Sequence, residues 1–213
     1  MKNALKIVMF FAVSMCCALP ATAQTAKTIV DKVINTHNAG KGISADYKVT
    51  SASGTSRGSI VMESTKYRIL SPDLKCWFNN TTQWAYSPAT GEVNVTNASS
   101  GAATTNPYTA IIDLERSCNM SVAKTSADYL VTFKPKGKKY AEYSSIVLTV
   151  SKKSYRIKKA EFNGKNHANS FIVEITNYVS GKNFPASTFV FDKKLVPAGT
   201  YINDLRYIGK NKK

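Results

Sequence analysis

Along this chain the spacing of apolar positions changes once, and the change separates a short helical segment from a long β-rich one. Residues 25–38 carry Ile29, Val30, Val33 and Ile34 at intervals of three and four among Lys and Asp, which predicts one amphipathic helix ended by Ala39-Gly40. Beyond it the period falls to two. Tyr47-Lys48-Val49-Thr50, Trp84-Ala85-Tyr86, Glu92-Val93-Asn94-Val95-Thr96 and Ile157-Lys158-Lys159 with Phe162 are short and rich in β-branched and aromatic residues. Turn signals punctuate them at 53–58, Asn79-Asn80, 88–91, Lys136-Gly137, Asn163-Gly164 and Ser180-Gly181. The segments between these turns predict about eleven antiparallel strands. A second helix starts at Pro107 and runs to about Arg116, with Tyr108, Ile111, Ile112 and Leu114 along one side. A sheet of that size must curl or be covered, and two amphipathic helices are available to cover it. The fold class is α+β.

A length of 213 residues with 43% apolar and 10% aromatic content excludes a disordered or collagenous chain and favours one domain over residues 24–213. The first residues stand apart. Lys2 and Lys6 precede the uncharged stretch 7–19, Pro20 breaks it, and Ala21-Thr22-Ala23 fits a signal-peptide cleavage site before Gln24. The stretch is too short to span a bilayer. Export to the periplasm, with cleavage after Ala23, is the expectation. Met15 before Cys16 and Cys16 before Cys17 argue against a lipid-modified cysteine.

Charge narrows the partners. With 29 Lys plus Arg against 13 Asp plus Glu the formal net charge is +16, and +14 once residues 1–23 with Lys2 and Lys6 are removed, which in an exported protein points to phospholipid headgroups, cell-wall polymers or surface polysaccharide rather than nucleic acid. Solubility alone is the plainer account, since the cations are scattered apart from the runs 134–139 and 210–213. After cleavage two cysteines remain, Cys76 and Cys118. An oxidising compartment permits a disulfide between them, closing a loop of about 40 residues for ~3 to 4 kcal/mol; two buried free thiols are the alternative.

Signals for catalysis are missing. His37 and His167 are the only histidines, and neither has a Ser, Cys or carboxylate at a triad-like spacing. Metal-ligand spacings of the CxxC or HExxH type do not occur, and residues 54–58 lack the Gly-Lys-Ser/Thr of a phosphate cradle. No enzyme activity, metal or cofactor is expected. What remains is a set of large apolar groups. Trp84 with Tyr86, Tyr67 with Ile69, Val93 with Val95, Val131 with Phe133, and Phe189 with Phe191 each share a strand face. Beyond ordinary core packing, they suggest an apolar cavity between sheet and helices, because two short helices cannot fill the concave side of so large a sheet.

The order of these motifs resembles that of the LolA family of periplasmic lipoprotein carriers, over nearly all of residues 24–213. The N-terminal helix is followed by Tyr47 to Thr50 and Gly58-Ser59-Ile60-Val61-Met62, similar to the family's first hairpin. Lys66-Tyr67-Arg68-Ile69 resembles its lysine, aromatic, arginine, tryptophan strand. Residues 79–88 look like its turn and Trp-x-Tyr-x-Pro strand, continued by Gly91 to Val95. Asn106-Pro107-Tyr108 with Ile111 resembles the second lid helix, and residues 129–136 its Phe-x-Leu-x-Pro-Lys strand. Phe189-Val190-Phe191 and then residues 197–204 are similar to the closing strand and Pro-x-Gly-x-x-Val-x-Asp tail.

The resemblance implies an unclosed β-barrel with a helical lid, working as a monomer. Its interior would take lipoprotein acyl chains from an inner-membrane transporter and pass them to an outer-membrane acceptor. The cavity would be lined by Ile29, Val33, Tyr108 and Ile111 from the helices and by Val49, Ile60, Met62, Tyr67, Ile69, Trp84, Tyr86 and Phe133 from the sheet. One departure concerns the lid. Glu63-Ser64-Thr65 stands where the family has the Arg-Pro that holds the lid shut, and Arg68 matches only its second arginine. Closure would then rest on apolar docking of the helices, with Arg57 or Arg68 as substitute latches. The rival functions are a lipid-binding or stress-sensing module of the same fold without a transport role, and a polysaccharide binder with outward-facing aromatics.

Overall fold

The computed structural model describes residues 25–38, 41–98 and 107–206. The signal-peptide reading, Ala39-Gly40, Asn106 and the side chains of His37 and Tyr108 lie outside the described residues. Helix α1 (Ala26–Asn38) begins where Thr25 Oγ1 accepts the Thr28 amide at 3.2 Å, an N-cap that satisfies one free donor of the first turn. Helix α2 (Pro107–Ser117) opens on its proline and passes directly into a strand.

The strands are β1 (Gly42–Ser51), β2 (Gly54–Glu63), β3 (Lys66–Leu70), β4 (Lys75–Phe78), β5 (Thr82–Ser87) and β6 (Glu92–Asn97) before α2. After it come β7 (Cys118–Lys124), β8 (Asp128–Pro135), β9 (Tyr143–Ser151), β10 (Ile157–Gly164), β11 (Phe171–Lys182) and β12 (Tyr201–Asp204). They form one unclosed half-barrel sheet in the order β12-β6-β5-β4-β3-β2-β1-β11-β10-β9-β8-β7. Two antiparallel meanders, β1 to β6 and β7 to β11, meet at the β1–β11 pair. Among the described residues the strands number twelve rather than eleven, and the last pair breaks the antiparallel expectation: β12 runs parallel to β6. It reaches that distant edge because residues 183–200 form a strap across the sheet.

Pairing register fixes the two faces, since directly opposed residues point the same way. On the concave face Val131 and Phe133 of β8 oppose Leu148 and Ile146 of β9, which oppose Ala160 and Phe162 of β10. These pack under Ile29, Val30 and Val33 of α1 and Ile111 and Leu114 of α2 as the first apolar cluster. A second concave cluster gathers Ile43, Met62, Tyr67, Ile69, Cys76 and Phe78 from β1 to β4. On the convex face Trp77, Tyr86, Val93 and Val95 form a third, covered by Phe191, Leu195 and Val196 of the strap.

The strap itself corrects one expectation. Phe189 and Phe191 do not share a strand face: after Pro185 the chain makes a 3₁₀ turn, Ala186–Phe189, and a second, Lys193–Leu195, whose Lys194 amide is capped by Asp192. Phe189 is nonetheless fully buried, and the Phe191 ring meets Trp77 edge-on at 5.3 Å. Phe184 N–H donates to Glu63 Oε2 at 3.2 Å. Its ring occupies the space a side chain at position 42 would need, which is why Gly42 stands there.

Candidate functional site

Between the two concave clusters the sheet carries a row of apolar side chains that are only partly buried. Phe162 stacks on Phe171 with centroids 4.2 Å apart, and Tyr143 stands edge-on to both. Val173 opposes Val49 and Ile175 opposes Tyr47 across the β1–β11 junction. All of these side chains, and Ile60 beyond them, are partly exposed. Tyr47 lies over Gly58, where a Cβ would come within 2.5 Å of its hydroxyl, so this glycine lets the ring fold flat onto β2. Burial raises the Tyr47 hydroxyl pKa, and its position over Gly58 brings it to Ser71. A cleft of about 520 Å³ opens beside the row, walled by Val49, Ser51, Glu142, Tyr143, Phe171 and residues 168–170.

The helices sit over one end of the concave face, and polar contacts hold them. Lys27 of α1 bridges Asp31 at 3.1 Å and Glu115 of α2 at 2.6 Å. Asp113 of α2 accepts from Lys139 at 2.6 Å and from the Tyr140 hydroxyl at 2.5 Å. Those two donors hold the Asp113 carboxyl below the ordinary carboxylate range, while burial and then Asp113 itself push the Tyr140 hydroxyl up.

The predicted lining residues divide among these places. Ile29, Val33, Ile111 and Phe133 lie together in the cluster under the helices. Met62, Tyr67 and Ile69, with Ile60 against them, belong to the second cluster. Val49 lines the cleft. Trp84 and Tyr86 do not join them: both point to the convex face, beneath the strap. Arg57 and Arg68 also face away from the helices, because their neighbours Gly58, Tyr67 and Ile69 face inward. Arg68 lines a convex cleft with Phe191 and Asp192, and Arg57 one of about 680 Å³ with Lys48 and Lys75. Neither can latch the lid. Cys76 and Cys118 are free buried thiols in different clusters, so the disulfide reading gives way to its alternative. Sequence reasoning missed Phe171, Val173 and Ile175, although their alternation with Ile172, Glu174 and Thr176 is a readable half-buried strand. Among the described residues no group of His, Cys, Asp and Glu is gathered to hold a metal ion, and no helix is long and apolar enough to cross a membrane.

Residues 17–164 match the family described as outer membrane lipoprotein carrier protein LolA. Among curated proteins no sequence matches. Solved structures similar in fold include an uncharacterized conserved protein from Thermus thermophilus, with TM-score 0.60 at 8% identity over 84% of this chain and 98% of that one. MucB from the MucA/MucB complex of Pseudomonas aeruginosa aligns with TM-score 0.48 at 9% identity, covering 81% of this chain and 62% of its own. A LolA superfamily protein from Nitrosomonas europaea aligns with TM-score 0.41 at 10% identity over 80% and 99% of the two chains.

Proposed function

Because the chain belongs to the family of outer membrane lipoprotein carrier protein LolA, we propose that its concave face receives the acyl chains of lipoproteins and shields them on their way to the outer membrane. The observation that supports this reading is the row from Phe162 and Phe171 to Val49 and Ile175, apolar, partly exposed and placed between two packed clusters. Each acyl CH₂ moved from water onto such a surface gains ~0.8 kcal/mol. An open, shallow face of β-branched and aromatic groups offers this without tight complementarity, which suits a protein that must also let its cargo go. The lid formed by α1 and α2 rests on the sheet through Ile29, Val33 and Ile111. The protein is a binding protein rather than an enzyme, works as a monomer in the periplasm after removal of residues 1–23, and exchanges cargo with an inner-membrane transporter and an outer-membrane acceptor.

The test uses an apolar fluorophore that brightens in the site, displaced by a triacylated lipopeptide. Intrinsic tryptophan fluorescence is the wrong reporter, since Trp77 and Trp84 both lie on the convex face. Displacement is expected in the native protein, with several-fold weaker binding in Phe171→Ala and Val173→Ala. A carboxylate in the row, Val173→Asp, is expected to abolish it. Equal binding in all three variants would place the ligand elsewhere. Retention of the lipopeptide with no release to the acceptor would favour a lipid-sensing module over a carrier. N-terminal sequencing of the exported form, expected to begin at Gln24, checks the compartment.

A further inference from the structure

One end of the half-barrel carries tyrosines and cations in matched pairs. Lys32 of α1 donates to the Tyr155 hydroxyl at 3.1 Å and stands 4.6 Å over its ring. Tyr155 stacks on Tyr129 at 6.1 Å, and Lys152, anchored to the Thr125 carbonyl, lies 5.6 Å over the Tyr129 ring. Across the gap, Arg156 stands 4.2 Å over Tyr178 and donates to Ser180 Oγ at 2.7 Å. The turns β7–β8 and β9–β10 bring these groups together, and the register puts the end of β11 beside them.

Three features set this rim apart from scattered surface charge. The tyrosines belong to the concave interior: Tyr129 and Tyr155 pack against the cluster under the helices and Tyr178 against the second cluster, so the rim spans the space between them. Tyr155 is held at φ +52°, a left-handed conformation that costs a non-glycine residue energy and fixes where its ring stands. The charge is also unbalanced. Of the cations at these turns only Lys158 has a carboxylate, Asp128 at 2.9 Å, while Lys32, Lys152, Arg156 and the exposed Lys124 and Lys153 have none among the described residues. At the opposite end Lys139 is matched by Asp113, and Glu142 and Asp73 are present, but Lys134, Lys136, Lys138 and Lys165 have no carboxylate there either among the described residues. The rim is thus distinguished by its three tyrosine–cation pairs against the one of Lys139 and Tyr140.

We infer that this rim docks the mouth of the concave face on an anionic phospholipid bilayer, cations on the phosphates and tyrosine rings at headgroup depth. Tyrosines favour that depth because the ring is apolar and the hydroxyl wet, and each lysine or arginine near an anionic leaflet strengthens binding by about fivefold. The inference rests on the carrier reading, since the rim bounds one end of the concave face that holds the apolar row.

The experiment is vesicle flotation with the purified exported protein. It should bind mixed phosphatidylcholine–phosphatidylglycerol vesicles and not phosphatidylcholine alone, and lose binding as salt rises from about 0.05 to about 0.5 M. Lys124→Gln with Lys153→Gln, two exposed positions without partners, should weaken binding at least tenfold. The charge-matched control at the other end, Lys134→Gln with Lys165→Gln, should leave it unchanged. Equal loss in both pairs, equal binding to neutral vesicles, or capture of polyglutamate in place of vesicles would overturn the inference. Lipopeptide displacement in the same variants separates the two readings. Lipopeptide uptake without vesicle binding sinks the rim alone, and rim-dependent vesicle binding without uptake sinks the carrier reading and leaves the rim.

Discussion

Cys76 shows how one side chain reports on its surroundings. It lies in the second concave cluster, facing Tyr67 and Gln83, and burial pushes its thiol pKa up to about 11. In the unfolded chain a cysteine titrates near ~8.5. The folded state therefore keeps its proton where the unfolded state has lost it. The resulting stability is complete below about pH 8.5 and is lost as pH rises toward 11. Two reduced thiols, Cys76 and Cys118, should react with Ellman's reagent in denaturant and hardly at all in the native protein at pH 8; a native count of zero that stays zero in denaturant would mean that they are bonded. The cysteine count could not decide this beforehand. Two cysteines in a secreted chain permit one bridge, but whether their strands face each other is a property of topology, and β4 and β7 lie in different meanders of the sheet.

At the scale of elements, the helices were legible and the sheet faces only half so. The period of Ile29, Val30 and Val33, closed by the Thr25 cap, and Pro107 at the start of α2 are local signals that tertiary structure had no reason to override. Alternation likewise tells which residues of one strand share a face, as with Tyr67 and Ile69 or Trp84 and Tyr86. It does not tell whether two strands present their apolar sets to the same side. Cys76-Trp77-Phe78 is apolar at every position because both faces of β4 are covered, one by the second cluster and one by the strap. With no polar position to mark the outside, the side on which Trp84 lies could not be read. Element attachment gives a further expected outcome. Asp113, with Lys139 and Tyr140 holding its carboxyl low, adds stability that is present above about pH 4 and fades as pH falls below it. Asp113→Asn should cost about 1 kcal/mol in urea unfolding at pH 7, the ion pair being partly exposed and the Tyr140 bond supplying most of it. The difference from the native protein should shrink as pH falls through the unfolded and then the lowered folded pKa of this carboxyl, and vanish only below the latter.

For the whole molecule, the feature with the widest consequence is the single β1–β11 pair that joins the meanders. Within each meander most pairings link neighbours in sequence, whereas this junction sets Tyr47 beside Ile175 and Val49 beside Val173. Forming it closes a loop of well over a hundred residues, and that closure, with the β6–β12 pair, raises the contact order above that of the local hairpins alone. Chains of that kind refold in milliseconds to seconds rather than microseconds. Stopped-flow refolding followed by tryptophan emission should fall in that slow range, because Trp77 reaches its final environment only when the strap lies across β4. The N-terminal helix shares this delay. Its seat is built from β8, β9 and β10, so a chain emerging from its N-terminus makes α1 long before it makes anything for α1 to rest on, and the first helix formed is among the last pieces to find its place.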